Sequence, residues 1–84
     1  MKWSAHAKSR SQQRGIPLIV VDLLERFGSE DRTYSGGRKV RFDKKGRRLA
    51  EAFMGPLAKA LDKYWNCYAV IAGDGTVVTV AHAH

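Results

Sequence analysis

Three residues near the N-terminus have types and a spacing that suit chemistry on a phosphate group. His6, Arg10 and Arg14 follow one another at intervals of four. At about 100° per residue on a helix, they fall within roughly 80° of one another and share a face. An imidazole that exchanges a proton near neutral pH would then stand beside two guanidiniums suited to phosphate. The competing interpretation is an ordinary surface helix with polar residues at this spacing.

A second group is a dense run of cations in the middle of the chain. The 84 residues include 15 Lys and Arg against 8 Asp and Glu, which gives a formal charge of +7. Seven of these cations fall within residues 38–48: Arg38, Lys39, Arg41, Lys44, Lys45, Arg47 and Arg48. A strand followed by a helix would present them as one patch, which attracts polyanions and releases counterions on binding. The run predicts contact with nucleic acid; a solvated charged face and contact with an acidic protein are the alternatives.

The last residues of the chain raise the question of a metal. His82 and His84 would lie on one face of a strand, and His6 could supply a third ligand. No acidic or thiolate residue accompanies them, so we expect no metal site and no cofactor. For His82, an acid/base or phosphate-facing role and a plain strand residue both remain open.

Length, composition and the single cysteine narrow the class of protein. A chain of 84 residues fits one domain, 1–84, and its 44% hydrophobic residues argue against disorder. The single cysteine, Cys67, lies in an apolar run, so we expect a buried, inert thiol. The apolar stretches fall short of the ~20 residues of a membrane span, and a signal peptide is not recognisable. We therefore expect a cytoplasmic protein without membrane contact.

The elements that must position these residues begin with two helices. Residues 4–15 indicate a short polar helix with Ser4 as its N-cap. Residues 16–28 indicate an amphipathic helix with Pro17 in its first turn and Gly28 at its end. Residues 30–43 then favour two short strands around a turn at Ser35-Gly36-Gly37.

Helical spacing returns in residues 44–65. An apolar residue recurs there every four positions: Leu49, Phe53, Leu57 and Leu61. Because an interior proline costs ~3 kcal/mol or more, Pro56 should open a second helical piece or a kink. The chain closes with strands at residues 66–72 and 76–83. One face of the last strand should carry Val77, Thr79 and Ala81, and the other Val78, Val80 and His82. This order predicts an α+β domain with an antiparallel sheet.

Two stretches resemble a known group of proteins. His6-Ala7-Lys8-Ser9-Arg10-Ser11-Gln12-Gln13-Arg14-Gly15-Ile16 resembles the His…Arg…Arg-Gly-Ile start of small bacterial domains allied to the RelE/ParE/BrnT toxin superfamily. Residues 74–82 are similar to the closing hairpin of those domains. The resemblance implies an N-terminal helical hairpin packed on an antiparallel sheet. The sequence departs from the pattern of those domains in its middle, where residues 44–64 insert helical material between the strand pairs. The resemblance also implies RNA cleavage or gyrase poisoning, a small antitoxin protein as partner, and site residues at His6, Arg10, Arg14 and His82.

The sharpest functional hypothesis is a metal-free endoribonuclease. The RNA 2′-hydroxyl would attack the adjacent phosphate, which requires a base, an acid and cationic stabilisation of the developing charge. His6 or His82 would act as base or acid, and Arg10 and Arg41 would stabilise the charge.

Two broader hypotheses need no turnover. The first is a nucleic-acid-binding domain, with RNA favoured over DNA, that uses the same basic surface and Tyr34 or Tyr68 as base contacts. The second is a non-catalytic protein-interaction module whose charge meets an acidic partner. Both hypotheses depend on the same excess of cations, so the sequence does not decide between them.

Overall fold

The structure is a computed structural model that describes residues 2–33 and 36–83. In chain order its elements are β1 (Lys2–Trp3), α1 (Ala5–Gln13), α2 (Leu18–Phe27), β2 (Ser29–Arg32), β3 (Arg38–Arg41), α3 (Lys44–Met54), a 3₁₀ helix (Gly55–Tyr64), β4 (Cys67–Ile71) and β5 (Thr76–His82). The α+β class predicted from the sequence is confirmed. Three residues that enter the sequence-based predictions lie outside the described residues: Tyr34, Ser35 and His84.

The five strands form one sheet in the order β1-β5-β4-β3-β2. The pairs β5-β4, β4-β3 and β3-β2 are antiparallel, as expected, whereas β1 pairs with β5 in parallel. The sheet is therefore mixed. The expectation of a wholly antiparallel sheet missed β1 because two residues are too few to show the alternation that marks a strand.

Local sequence explains where the helices begin and end. The Ser4 hydroxyl accepts a hydrogen bond from the Ala7 N–H at 3.0 Å and caps α1. The Asp43 carboxylate accepts one from the Gly46 N–H at 2.6 Å and caps α3. Gly55, with a φ of 60°, ends α3, and the 3₁₀ helix follows with Pro56 in its first turn. The predicted break at this position is confirmed.

The core lies between the helices and one face of the sheet. The inner face of the sheet buries its apolar side chains: Val40, Ala69, Ile71, Val77 and Val80. From the helical side, α2 buries Val20, Val21, Leu23 and Leu24. Because α1 packs mainly on β5 while α2 packs on β3, β4 and α3, the helical hairpin expected for the two N-terminal helices stays a prediction.

The opposite, outer face of the sheet follows from the strand register. Arg41, Tyr68 and Ala81 are cross-strand neighbours in one row. Lys39, Val70 and Thr79 are neighbours in the next row. These residues are exposed or half-buried, apart from Ala81, which is buried. The outer face therefore presents cations beside a tyrosine.

A bulge corrects the predicted faces of β5. Val70 pairs with Thr79, but the next residue, Ile71, pairs with Val77. Val78 is thus an extra residue, and Val77 and Val80 both lie on the inner face. The simple alternation that put them on opposite faces was wrong at this point.

The apolar stripe of residues 49–61 is buried only at its end. Leu61 is buried, whereas Leu49, Phe53 and Leu57 are 46%, 57% and 65% exposed. The face of α3 that contacts the core carries Gly46 and Ala50 instead. Small side chains on this face allow α3 to pack closely, and the large apolar residues on the neighbouring face of the helix are therefore exposed. Within the described part of the chain, no helix has the length and apolarity needed to cross a membrane.

Candidate nucleic-acid interface

The seven clustered cations do not form one patch, because Arg38 points to the inner side of the sheet. Its guanidinium forms ion pairs with Glu25, at 3.6 Å, and with Glu30. Arg38 shares its cross-strand row with the buried Ile71. Its charge is therefore compensated, and its contribution to a phosphate-binding surface is small.

Lys39 and Arg41 lie on the outer face. The Lys39 Nζ stands 4.4 Å from the centroid of the Tyr68 ring, a cation–π contact. The Arg41 Nε is 3.5 Å from an Asp31 carboxylate oxygen, and both side chains are more than half exposed. An exposed pair of this kind contributes ~0–1 kcal/mol, so a phosphate can replace it at little cost.

The remaining four members of the run occupy the start of α3. Lys44, Lys45, Arg47 and Arg48 are all exposed. The Arg47 guanidinium lies 5.5 Å from the Trp65 ring centroid, and its Nε is 3.5 Å from the Glu51 carboxylate. A cleft of about 460 Å³ borders this turn, and its lining includes Lys63, a cation that the sequence analysis did not single out. The other residues that line the cleft are Phe42, Asp43, Lys44, Arg47, Asp62, Trp65 and Asn66.

Arg14 brings a further cation to this region from α1. Its Nη1 donates a hydrogen bond to the Val80 carbonyl of β5 at 2.8 Å. A depression of about 410 Å³ lies beside it; Tyr68, Thr79 and Ala81 line it from the outer face, and Arg14 and His82 complete its lining. The sequence predicted Arg14 as a nucleic-acid contact, and the fold places it next to Tyr68.

These cations share one end of the sheet because of the strand directions. Strands β3 and β5 end where β4 begins, and only two residues separate β3 from α3. We call the group at and around this end the cationic band: Arg14, Lys39, Arg41, Lys44, Lys45, Arg47, Arg48 and Lys63. Among the described residues, only Arg41 and Arg47 of these eight form ion pairs. The other six keep their charge free for an anionic ligand.

His82 is held at the same end in a defined tautomer. The Asn66 side-chain amide donates from Nδ2 to the Ala83 carbonyl at 3.2 Å, which turns its Oδ1 toward His82. This oxygen lies 3.1 Å from the His82 Nδ1 and can only accept, so Nδ1 carries the proton. The ring also stacks on Tyr64, with centroids 6.2 Å apart. In the neutral ring, Nε2 is then the nitrogen that can accept a proton.

Cys67 lies against the same histidine nitrogen, with its Sγ 3.4 Å from the His82 Nδ1. Burial raises the pKa of its thiol from 9.0 to about 11. Very little thiolate therefore forms near neutral pH, and the thiol is a poor nucleophile. The prediction of a buried cysteine is confirmed.

His6 lies elsewhere on α1, and Arg10 is exposed one turn before Arg14. The Ser4 N–H donates to the Val77 carbonyl and Arg14 to that of Val80, so α1 runs along β5. His6 precedes Arg14 by eight residues, or ~12 Å along the helix. It is exposed at the Val77 end, whereas His82 is at the Arg14 end. Arg14 rather than His6 is thus the α1 residue beside His82.

His, Cys, Asp and Glu side chains are dispersed over the described part of the chain. Among residues 2–33 and 36–83, no three His, Cys, Asp or Glu side chains cluster as a metal site would require. His84, the second member of the terminal pair, lies outside the described residues. The absence of a metal site stays a prediction.

A separate surface on the helical layer is apolar. Leu49, Phe53 and Leu57 are exposed there, and the Phe53 ring contacts that of Phe27 with centroids 5.5 Å apart. The Arg26 guanidinium lies over the same ring at 5.5 Å. We call Leu49, Phe53 and Leu57 the apolar ridge.

Two members of the interface could be found only from the fold. Asn66 stands sixteen residues before His82, and the hydrogen bond between them depends on the pairing of β4 with β5. Lys63 stands apart from the dense run of cations, and only the packing of the 3₁₀ helix beside α3 brings it to Arg47. No local spacing in the sequence marks either residue.

Comparisons with protein-family models, with curated proteins and with solved structures gave no match.

Proposed function

We propose that this chain binds nucleic acid, with RNA favoured over DNA, through the cationic band. The observation that carries the proposal is the convergence of eight cations at one end of the sheet, six of them without an ion pair among the described residues. Uncompensated Lys and Arg side chains on rigid elements favour a ligand with regularly spaced negative charge.

The chemistry of the band favours RNA. Its cations flank Tyr68, and an aromatic ring on the outer face of a sheet offers a stacking surface for an unpaired base. Sequence-specific recognition of RNA mostly targets unpaired bases in this way, whereas duplex DNA is read in its grooves. The residues proposed to contact phosphates are Arg14, Lys39, Lys44, Lys45, Arg47 and Arg48; Arg38 contributes least, because two carboxylates engage it.

The experiment measures the affinity for a fluorescent RNA oligonucleotide by anisotropy over a range of salt concentrations. Each phosphate contact contributes roughly −0.7 to the log–log slope on single strands. Replacing Lys44, Lys45, Arg47 and Arg48 with Ala should weaken binding and flatten the slope by up to about 3, which is four contacts at ~0.7 each.

A matched control separates the site from the overall charge. Replacing Lys2, Lys8, Arg32 and Lys59 with Ala also removes four cations, and both variants carry +7 − 4 = +3. These four residues lie outside the band, so this variant should keep most of the affinity and slope. Equal losses in the two variants would show that only net charge matters. Failure of the wild-type protein to bind at low salt would refute the proposal.

A second candidate function, a protein-interaction module, is favoured by one observation. The apolar ridge exposes three large side chains on the helical layer, and exposed apolar clusters often mark protein contacts. The neighbouring Lys45, Arg48 and Arg26 would suit an acidic partner. Replacing Leu49 and Phe53 with Ser would then abolish partner binding and leave RNA binding intact, whereas the α3 cation variant should weaken both.

A further inference from the structure

The outer face of the sheet contains a place for one unpaired base. Tyr68 is half-buried in β4, with β3 on one side and β5 on the other. Lys39 approaches its ring from β3. On the β5 side, Thr79 and the small side chain of Ala81 line the depression of about 410 Å³. Its volume falls within the ~300–1,000 Å³ range of small-molecule sites.

Resting on the proposed function, we infer that the ligand is single-stranded RNA, with one base stacked on Tyr68 and a neighbouring phosphate bound by Arg14. The guanidinium of Arg14 has five N–H donors, and one of them is used by the Val80 carbonyl. This hydrogen bond fixes the side chain at the rim of the depression without neutralising its charge. The remaining donors can bind a phosphate in the bidentate manner typical of arginine.

The surrounding charges agree with this placement. On the outer face, Lys39 and Arg41 stand beside Tyr68, and Asp31 is the carboxylate that pairs with Arg41. A backbone that crosses the sheet from β5 toward β3 would pass Arg14 first and Lys39 or Arg41 next. The base between these phosphates would then lie at Tyr68.

A duplex cannot use this site. Its bases are stacked on one another, so their faces are closed to a side chain on the sheet. A single strand can turn one base onto the tyrosine, and such stacking contributes to affinity with little dependence on sequence. Tyr68 should therefore discriminate strandedness, whereas the α3 cations should bind both forms.

The test compares a single-stranded RNA oligonucleotide with an RNA duplex of the same length. Tyr68→Leu keeps an apolar side chain but removes the aromatic face, and it should weaken single-strand binding by about 5- to 150-fold, the equivalent of one base stack. Duplex binding should change less than about twofold. Tyr68→Phe retains the ring and serves as the matched control, with both affinities close to wild type. Thermal unfolding confirms that each variant is folded.

Arg14→Gln provides an independent readout. It should reduce the salt slope on the single strand by about 0.7, the value of one phosphate contact. If Tyr68→Leu weakens single-strand and duplex binding equally, or weakens neither of them, the stacking site is wrong. The proposed function still stands in that case, as long as the wild-type protein binds RNA. If wild-type protein binds neither RNA, the proposed function itself fails.

Discussion

Gly46 sets how closely α3 approaches α2, and α3 carries half of the cationic band. A Cβ at this position would lie 2.3 Å from the Phe27 carbonyl oxygen and 3.0 Å from the Asp43 Oδ1. Contacts to real Cβ atoms are essentially never shorter than 3.0 Å, so the backbones must separate by at least 3.0 − 2.3 = 0.7 Å. No side-chain rotation can relieve a contact between a Cβ and a backbone oxygen.

In the Gly46→Ala variant, a gain in helix propensity therefore acts against a steric cost. Alanine in place of glycine favours a helix by ~1 kcal/mol. Overpacking costs ~1–3 kcal/mol, and disturbing the Asp43 cap costs up to ~1 kcal/mol more. The expected net change is a loss of up to ~3 kcal/mol in the free energy of unfolding.

Urea denaturation of wild type and variant measures this loss. Ala52→Gly, at an exposed position of the same helix, is the control, because it reports the propensity effect alone and should cost ~1 kcal/mol. A Gly46→Ala variant that is more stable than wild type by the same amount would refute the close approach of α3 to Phe27. A displaced α3 should also weaken RNA binding, since Lys44 and Arg47 move with it.

Three further predictions concern the chemistry around His82. Because the pKa of Cys67 is about 11 when folded and near 9.0 when exposed, iodoacetamide at pH 8 should alkylate the folded protein about 100-fold more slowly than the unfolded chain. Because the unfolded thiol ionises at a lower pH than the folded one, the contribution of Cys67 to the free energy of unfolding is complete below pH ~9 and declines toward pH ~11. An increase in the free energy of unfolding over this pH range would contradict the assignment. Untagged protein should carry no stoichiometric zinc by metal analysis, despite His82 and His84. If the protein cleaves RNA, His82→Ala should reduce the rate by ~10²–10⁴-fold with binding retained, whereas His6→Ala should change it little, because His6 lies at the other end of α1 from His82; unchanged cleavage by the His82 variant excludes His82 as the acid or base.

Local signals were enough to predict the helices and the two antiparallel hairpins. Ser4, Asp43 and Gly55 mark helix ends through hydrogen bonds and backbone angles that depend on a few neighbouring residues. Gly73-Asp74-Gly75 likewise predicts the turn between β4 and β5, where the Asp74 carboxylate accepts a hydrogen bond from the Thr76 N–H. Each of these features is complete within about four residues of sequence.

Features that depend on distant contacts were not predictable. The bulge at Val78 depends on the register with β4. The exposure of Leu49 and Phe53 depends on Gly46 and Ala50 packing against the core, since a helix with two apolar edges does not reveal which one is buried. The division of the seven clustered cations between two faces also depends on distant contacts, because Arg38 forms ion pairs with Glu25 and Glu30.

The location of bound RNA tests the central claim most directly. In ¹⁵N–¹H correlation spectra, titration with a short single-stranded RNA should shift the amides of Lys39, Arg41 and Tyr68, together with Arg14 and the first turn of α3. These residues surround the end of the sheet where β3 and β5 finish. Shifts confined to the apolar ridge, or no shifts at low salt, would contradict the assignment of the cationic band as a nucleic-acid interface.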